Sequence, residues 1–161
     1  MDAANFVFDH PFGPIYGWFS PKGLRELRLP PEKPSRTRMN VLHSSANDAC
    51  VWTLHTALER FFAGVRQDFA DIPLDLSCGT PFQQSVWKGA CAVGWGERST
   101  YGGLAALIGK PKASRAVGQA LGRNPVPVIV PCHRFLAAGG KIGGFGAGLH
   151  WKRELLRVES E

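Results

Sequence analysis

Between residues 124 and 131 the chain reads Asn-Pro-Val-Pro-Val-Ile-Val-Pro, and Cys132-His133-Arg134 follow at once. Three prolines in eight residues remove three backbone donors and fix φ near about −65°, which excludes a helix. With Val126, Val128, Ile129 and Val130 between them, the stretch is expected to be a buried extended segment that delivers Cys132. A glycine-rich loop, Gly139 to Gly148, comes next. An apolar approach on one side and a glycine-rich loop on the other is where a fold displays a reactive side chain. A thiol beside an imidazole acts as a nucleophile when a base or a positive field favours the thiolate. Taken alone, a Cys-His pair reads more readily as a buried structural thiol next to a surface histidine.

The 161 residues, 44% apolar and 20% charged, have globular composition and suffice for one ordinary domain or two small ones. No apolar run approaches the roughly 18 residues of a membrane span, and no basic stretch followed by an apolar one opens the chain. An intracellular location is expected, cytoplasmic, or nuclear in a eukaryote. Cys50, Cys78, Cys91 and Cys132 are too irregularly spaced for a disulfide framework, and no C-x-x-C pair suggests zinc. Free thiols are expected, with Cys50, Cys78 and Cys91 in the core. The net charge of +6 is uneven: residues 1–80 carry 8 basic and 9 acidic side chains, residues 81–161 carry 11 and 4. A basic half beside a neutral one suggests a polyanionic partner, although charge discriminates weakly.

The first half predicts an antiparallel meander from Phe6-Val7-Phe8, Ile15 to Phe19, and Leu24 to Leu29. A Pro/Ser/basic loop over residues 30–47 and a helix from about Asp48 to Gly64 follow, with Val51, Leu54, Leu58, Phe61 and Phe62 at helical spacing. Residues 71–76 read as a last strand or an extended connector. Thr80-Pro81-Phe82-Gln83 is a T-x-x-Q capping box with Pro at the first helical position. Ser99-Thr100 caps a short helix with Tyr101, Leu104, Ala105 and Ile108 on one face, and a second helix spans about Ala113 to Leu121. The two form a helix-turn-helix candidate. A last amphipathic helix carries Trp151, Leu155, Leu156 and Val158.

The string from Asn124 to Arg134, with its P-C-H-R core, resembles the active-site signature of the O6-alkylguanine-DNA alkyltransferases. The resemblance extends upstream to Ser99-Thr100-Tyr101-Gly102-Gly103 and the paired helices, and downstream to the glycine-rich loop and the Lys152 to Glu159 tail. It covers residues 80–159; the first half matches only in layout. It implies an α/β lobe over residues 1–76, a small antiparallel sheet plus helix. It also implies a mostly α lobe over residues 77–161 containing a winged-helix-like helix-turn-helix.

The resemblance also implies roles. Cys132 is the nucleophile and alkyl acceptor. His133 takes its proton through a bound water, which suits neighbouring side chains that point apart on a strand. Glu159 orients and charge-balances His133, Asn124 rigidifies the turn, and Tyr101 protonates the departing guanine at N3. Phe135, Phe145 and Gly146 line the base pocket; Phe145 stands where Tyr is common, and Gly146 where many members carry a hydroxyl. Arg115 enters the duplex in place of the flipped nucleotide, because a stacked base is out of reach of a buried thiol. Thr100, Ser114, Ala116, Gly118 and Arg123 are DNA contacts, the small side chains letting the helix sit close to a minor groove. Alkyl transfer to sulfur is a displacement at saturated carbon whose product is a thioether, so each molecule acts once. No metal or cofactor is implied. The implied partner is double-stranded DNA containing O6-alkylguanine or, to a lesser extent, O4-alkylthymine, and the protein is a monomer; cooperativity on DNA is left open. The alternatives are a relative that binds the lesion without transfer, which would lack the reactive cysteine, and a cysteine hydrolase, which would turn over.

Overall fold

The computed structural model describes residues 4–31 and 48–161. Most of the loop expected at residues 30–47 lies outside them. Strands β1 (Phe6–His10), β2 (Gly13–Ser20) and β3 (Gly23–Arg28) form the expected meander, antiparallel in the order β1-β2-β3. Five consecutive residues of β2, Ile15 to Phe19, are buried on alternating faces of the sheet, and the register shift opposite Trp18 and Phe19 accommodates Arg25 of β3 as an extra residue. Ile15 and Phe19 enter the main core, while Tyr16 and Trp18 form a small cluster with Ala4.

Helix α1 (Asp48–Phe62) lays Leu54, Leu58 and Phe61 on that core, the spacing of one helical face. It stops where Gly64 adopts φ 77°, as expected from the sequence. Residues 71–76 form a connector with a single parallel bridge, Leu74 to Leu24. Gly23, at φ 139°, lets this connector press onto the β2–β3 turn: a Cβ there would stand 2.3 Å from the Pro73 carbonyl oxygen, which accepts a hydrogen bond from Leu24 N.

Helix α2 (Pro81–Ala90) begins with the predicted capping box, in which Gln83 N donates to Thr80 Oγ1 and Thr80 N to Gln83 Oε1. Buried Trp87 donates its indole N–H to the Ala120 carbonyl and so pins α2 to α4 (Ser114–Gly122). Thr100 caps α3 (Tyr101–Leu107) by accepting from Gly103 N, and α3 and α4 form the helix-turn-helix. The preceding β4 (Ser99–Thr100) pairs in parallel with β5 (Phe135–Leu136). Helix α5 (Leu149–Val158) closes the chain with Trp151, Leu155 and Val158 buried; Leu156 is only partly covered.

The proline-rich segment differs from expectation. It doubles back: Val130 N donates to Val126 O, Pro127 bridges Val130, and Val128 stands at φ 76°. The prolines do exclude a helix, but they also remove the donors a strand would use. A left-handed β-branched residue costs on the order of 1–3 kcal/mol. Burial of Val126, Val128 and Val130, all fully covered, offsets that cost. Cys132, His133 and Arg134 follow on a 3-10 turn, not on a strand. The remaining cysteines also depart from expectation: all four are free thiols, but Cys78 and Cys91 are exposed and Cys50 half-buried. One hydrophobic core runs from Phe6 to Val158 through both halves of the chain. Leu27 N donating to Pro125 O and Trp151 Nε1 donating to Pro30 O tie the halves together.

Replacing Gly23 with Ala places a methyl against the Pro73 carbonyl at an unfavourable φ. A loss of about 1–3 kcal/mol of unfolding free energy is expected in urea titration.

Candidate functional site

Asn124 organises the turn around Cys132. Its Oδ1 accepts from Val126 N at 2.9 Å, and its Nδ2 donates to Val130 O at 2.9 Å and to Cys132 Sγ at 3.1 Å. The amide therefore braces the strained segment and the thiol together. Burial pushes the Cys132 thiol up to about 11, against the opposing pull of the Asn124 bond and the Lys152 charge. At neutral pH the sulfur holds its proton, so a nucleophilic step needs a base.

His133, the next residue, is the base that the resemblance implies. It is fully buried, and its Nε2 lies 2.6 Å from Glu159 Oε1. Burial lowers its pKa, although Glu159 pulls the other way. An ionised carboxylate only accepts, so Nε2 carries the hydrogen of a neutral ring and Nδ1 is left with its lone pair. Nδ1 is buried without a protein partner.

Glu159 is itself clamped. Arg134 donates to both of its oxygens, from Nη2 at 2.8 Å and from Nε at 3.0 and 3.1 Å, and its Nη1 reaches Val93 O. Arg98 Nη1 donates to Oε2 at 3.2 Å. Burial raises the Glu159 pKa, but the bonds and charges of His133 and Arg134 outweigh it and hold the carboxyl at about 2.

Two cavities meet at Cys132. One, of about 480 Å³, lies beside α4 and the glycine-rich loop. Tyr101, Ser114, Arg115, Gly118, Phe145 and Gly146 line it together with Cys132. A glycine makes it possible: Gly143, at φ 68°, lets the loop pass the Tyr101 hydroxyl, where a Cβ would stand 2.6 Å away. The other, of about 750 Å³, opens between β3 and the Asn124 turn and shares Cys132, Phe145 and Gly146; Arg123 lines it.

The structure thus places two hydrogen-bonded pairs, Asn124 with Cys132 and His133 with Glu159, side by side through the adjacent residues Cys132 and His133, and Tyr101, Ser114, Arg115, Gly118, Phe145 and Gly146 in the adjoining cavity. Thr100 and Ala116 are exposed outside that cavity. Phe135 is a correction: it is fully buried in the core and lines neither cavity, because β5 turns its side chain inward. Only its carbonyl reaches the site, through Lys152.

Sequence reasoning missed Lys152, Arg134 and Arg98. Lys152 is fully buried, donating from Nζ to Phe135 O at 2.7 Å and Gly144 O at 3.2 Å. It fixes the glycine-rich loop and places positive charge near Cys132. Its signal was present: a lysine between buried Trp151 and Leu155 on the apolar side of a helix.

The folded-state carboxyl of Glu159 lies below its ordinary value of 4.5, so its contribution to stability is present above that value and is lost as pH falls toward about 2. Glu159→Gln is expected to remove this part of the acid dependence. Because it leaves Arg134 without its counter-charge, it is also expected to cost about 3–5 kcal/mol at neutral pH, both read from denaturant melts across pH.

Comparison with known proteins places the chain in a family. Residues 81–161 match the family model described as the 6-O-methylguanine DNA methyltransferase DNA-binding domain. The methylated-DNA–protein-cysteine methyltransferase of Mycobacterium bovis is 41% identical over 155 residues, covering 95% of this chain and 90% of that protein. The one from Methanosarcina acetivorans is 40% identical over 154 residues, covering 95% and 96%. Among solved structures, Mycobacterium tuberculosis OGT in complex with DNA superposes with a TM-score of 0.79 at 40% identity, covering 95% of this chain and 90% of that one. The Mycobacterium tuberculosis O6-methylguanine methyltransferase gives 0.78 at 38%, covering 98% and 93%. The chain belongs to the methylated-DNA–protein-cysteine methyltransferase family.

Proposed function

We propose that this protein repairs DNA by moving the alkyl group of O6-alkylguanine, and to a lesser extent of O4-alkylthymine, onto Cys132. The observation that carries the reading is the pair of contacts made by adjacent residues, Asn124 on Cys132 Sγ and His133 on Glu159, beside a cavity walled by α4. In this reading the sulfur attacks the alkyl carbon in line with the departing base oxygen. The thiol proton leaves toward His133 Nδ1, which carries the free lone pair, through one bridging water. The carbon–oxygen bond breaks, a thioether forms, and Tyr101 donates a proton to the departing guanine at N3 so that it leaves neutral. Asn124 and Lys152 favour the charge that develops on sulfur. Nothing reverses the thioether, so one molecule repairs one lesion.

Arg115, which lines the Tyr101 cavity and is exposed, takes the place of the flipped nucleotide. Thr100, Ser114, Ala116, Gly118 and Arg123 contact the duplex around it, within a lobe over residues 77–161 supported by residues 1–76. The match of residues 81–161 to a DNA-binding domain supports this division. The basic excess of the second half supports an anionic partner. We take the protein to act as a monomer. Among the described residues no helix is long and apolar enough to cross a membrane.

Titration against a duplex with one labelled O6-methylguanine is expected to transfer one methyl group per protein onto Cys132, located by peptide mass mapping. Cys132→Ala is expected to abolish transfer and keep DNA binding. Tight binding with the label left on the base would support a lesion-binding protein instead. Arg115→Ala is expected to slow transfer from duplex DNA by an order of magnitude or more, while reaction with the free alkylated base, which needs no flipping, changes little.

A further inference from the structure

Arg98 has no role in the reading above, yet its guanidinium lies on the outer oxygen of the carboxylate that holds His133. Resting on that reading, we infer that Arg98 is a positioning residue of the transfer reaction: laid on Glu159 Oε2, it sets how strongly the carboxylate acts on the base, His133.

The geometry divides Glu159 in two. Oε1 takes His133 Nε2 and Arg134 Nη2. Oε2 takes Arg98 Nη1 at 3.2 Å and Gly96 N at 3.4 Å, with Arg134 Nε between the two oxygens. Arg98 is held there on three sides. Its Nη1 also donates to Glu97 O, and its Nη2 reaches Leu156 O near the end of α5, where helical carbonyls lack partners. Pairing of Ser99 with Phe135 keeps it alongside the 132–134 turn. Of the two arginines, Arg134 is almost fully buried, and Arg98 retains 27% side-chain exposure. Arg134 is therefore part of the core, while Arg98 adjusts the charge from the rim.

The charged groups acting on His133 are Glu159 at the C-terminal end of α5, Arg134 from its own turn and Arg98 from the segment before β4. From α1 the Phe61 ring stands edge-on to it. With His133 neutral, one carboxylate faces two guanidinium groups. A third positive charge on the imidazole is disfavoured, so the ring stays neutral and its Nδ1 lone pair stays available. Without Arg98 the carboxylate is matched by Arg134 alone, its pull on His133 strengthens, and the imidazolium forms at higher pH.

The test is the pH profile of single-turnover methyl transfer from duplex DNA containing O6-methylguanine, for the wild type, Arg98→Met and Arg98→Lys. The acidic limb of Arg98→Met is expected to move to higher pH. Transfer would then be several-fold slower than wild type near about pH 6 and equal to it near about pH 8.5. Arg98→Lys, which keeps the charge, is expected to restore the wild-type limb. A uniform loss at every pH, or an unmoved limb, overturns the inference, because a purely structural contact changes the rate without moving the titration. If Arg98→Met does not fold, Arg98→Gln, which keeps a donor for Leu156 O, carries the same measurement. Absence of transfer by the wild-type protein at every pH would instead overturn the repair reading itself, and this inference with it.

Discussion

A buried carboxylate governs the centre of this molecule. Glu159 sits on the last turn-end of the chain with its side chain sealed from solvent, a placement that by itself would strongly favour the protonated form. Two arginines and an imidazole reverse that preference. The consequence is structural as well as chemical. The same contacts fix α5 against the Cys132–Arg134 turn, hold the segment before α3 in place through Gly96 and Arg98, and leave His133 neutral with one free nitrogen. A buried ion pair is weak evidence for stability, because desolvation consumes much of the Coulombic gain. Here its yield is geometry: three elements distant in sequence meet at one group.

Cys132 completes that geometry from the other side. Its thiol is too strongly buried to ionise unaided, and the polar groups around it are arranged to favour charge on sulfur only when a proton can leave. The Asn124 amide spends all three of its hydrogen-bonding contacts on one turn, so the thiol, the left-handed Val128 and the lobe-joining Pro125 carbonyl form one mechanical unit. Strain tolerated at Val128 by burial of its neighbours is consistent with a site held rigid by the whole core. The shared core between the halves has the same effect: β3 and the Asn124 turn together wall the larger cavity beside Cys132.

Elements whose stability is local were legible. The meander, the capping box at Thr80 and the Thr100 cap follow from neighbours within a few residues, and each forms where the sequence places it. The proximity of Cys132 and His133 to Asn124 and Glu159 was also legible, through a specific resemblance: Asn124 meets Cys132 and Glu159 meets His133. Phe135 was misread because its sequence position is adjacent to the site while its side chain points into the core. The proline-rich segment was misread because proline excludes a helix without choosing between a strand and a turn. That choice fell to the packing of Val126, Val128 and Val130.

The sequence by itself determined where helices begin and stop, which half carries the positive charge, and which thiol stands beside an imidazole, since these depend on residue chemistry and short spacing. Only the tertiary structure decided that Arg98, Arg134 and Glu159 share one carboxylate, that Lys152 is buried on two carbonyls, and that Cys132 separates two cavities. Arginine is a common surface residue, and nothing in the sequence around Arg98 or Arg134 marks them for these contacts. The two arginines reach Glu159 because segments separated by 25 to 61 positions come within hydrogen-bond distance, a relation that no local pattern encodes.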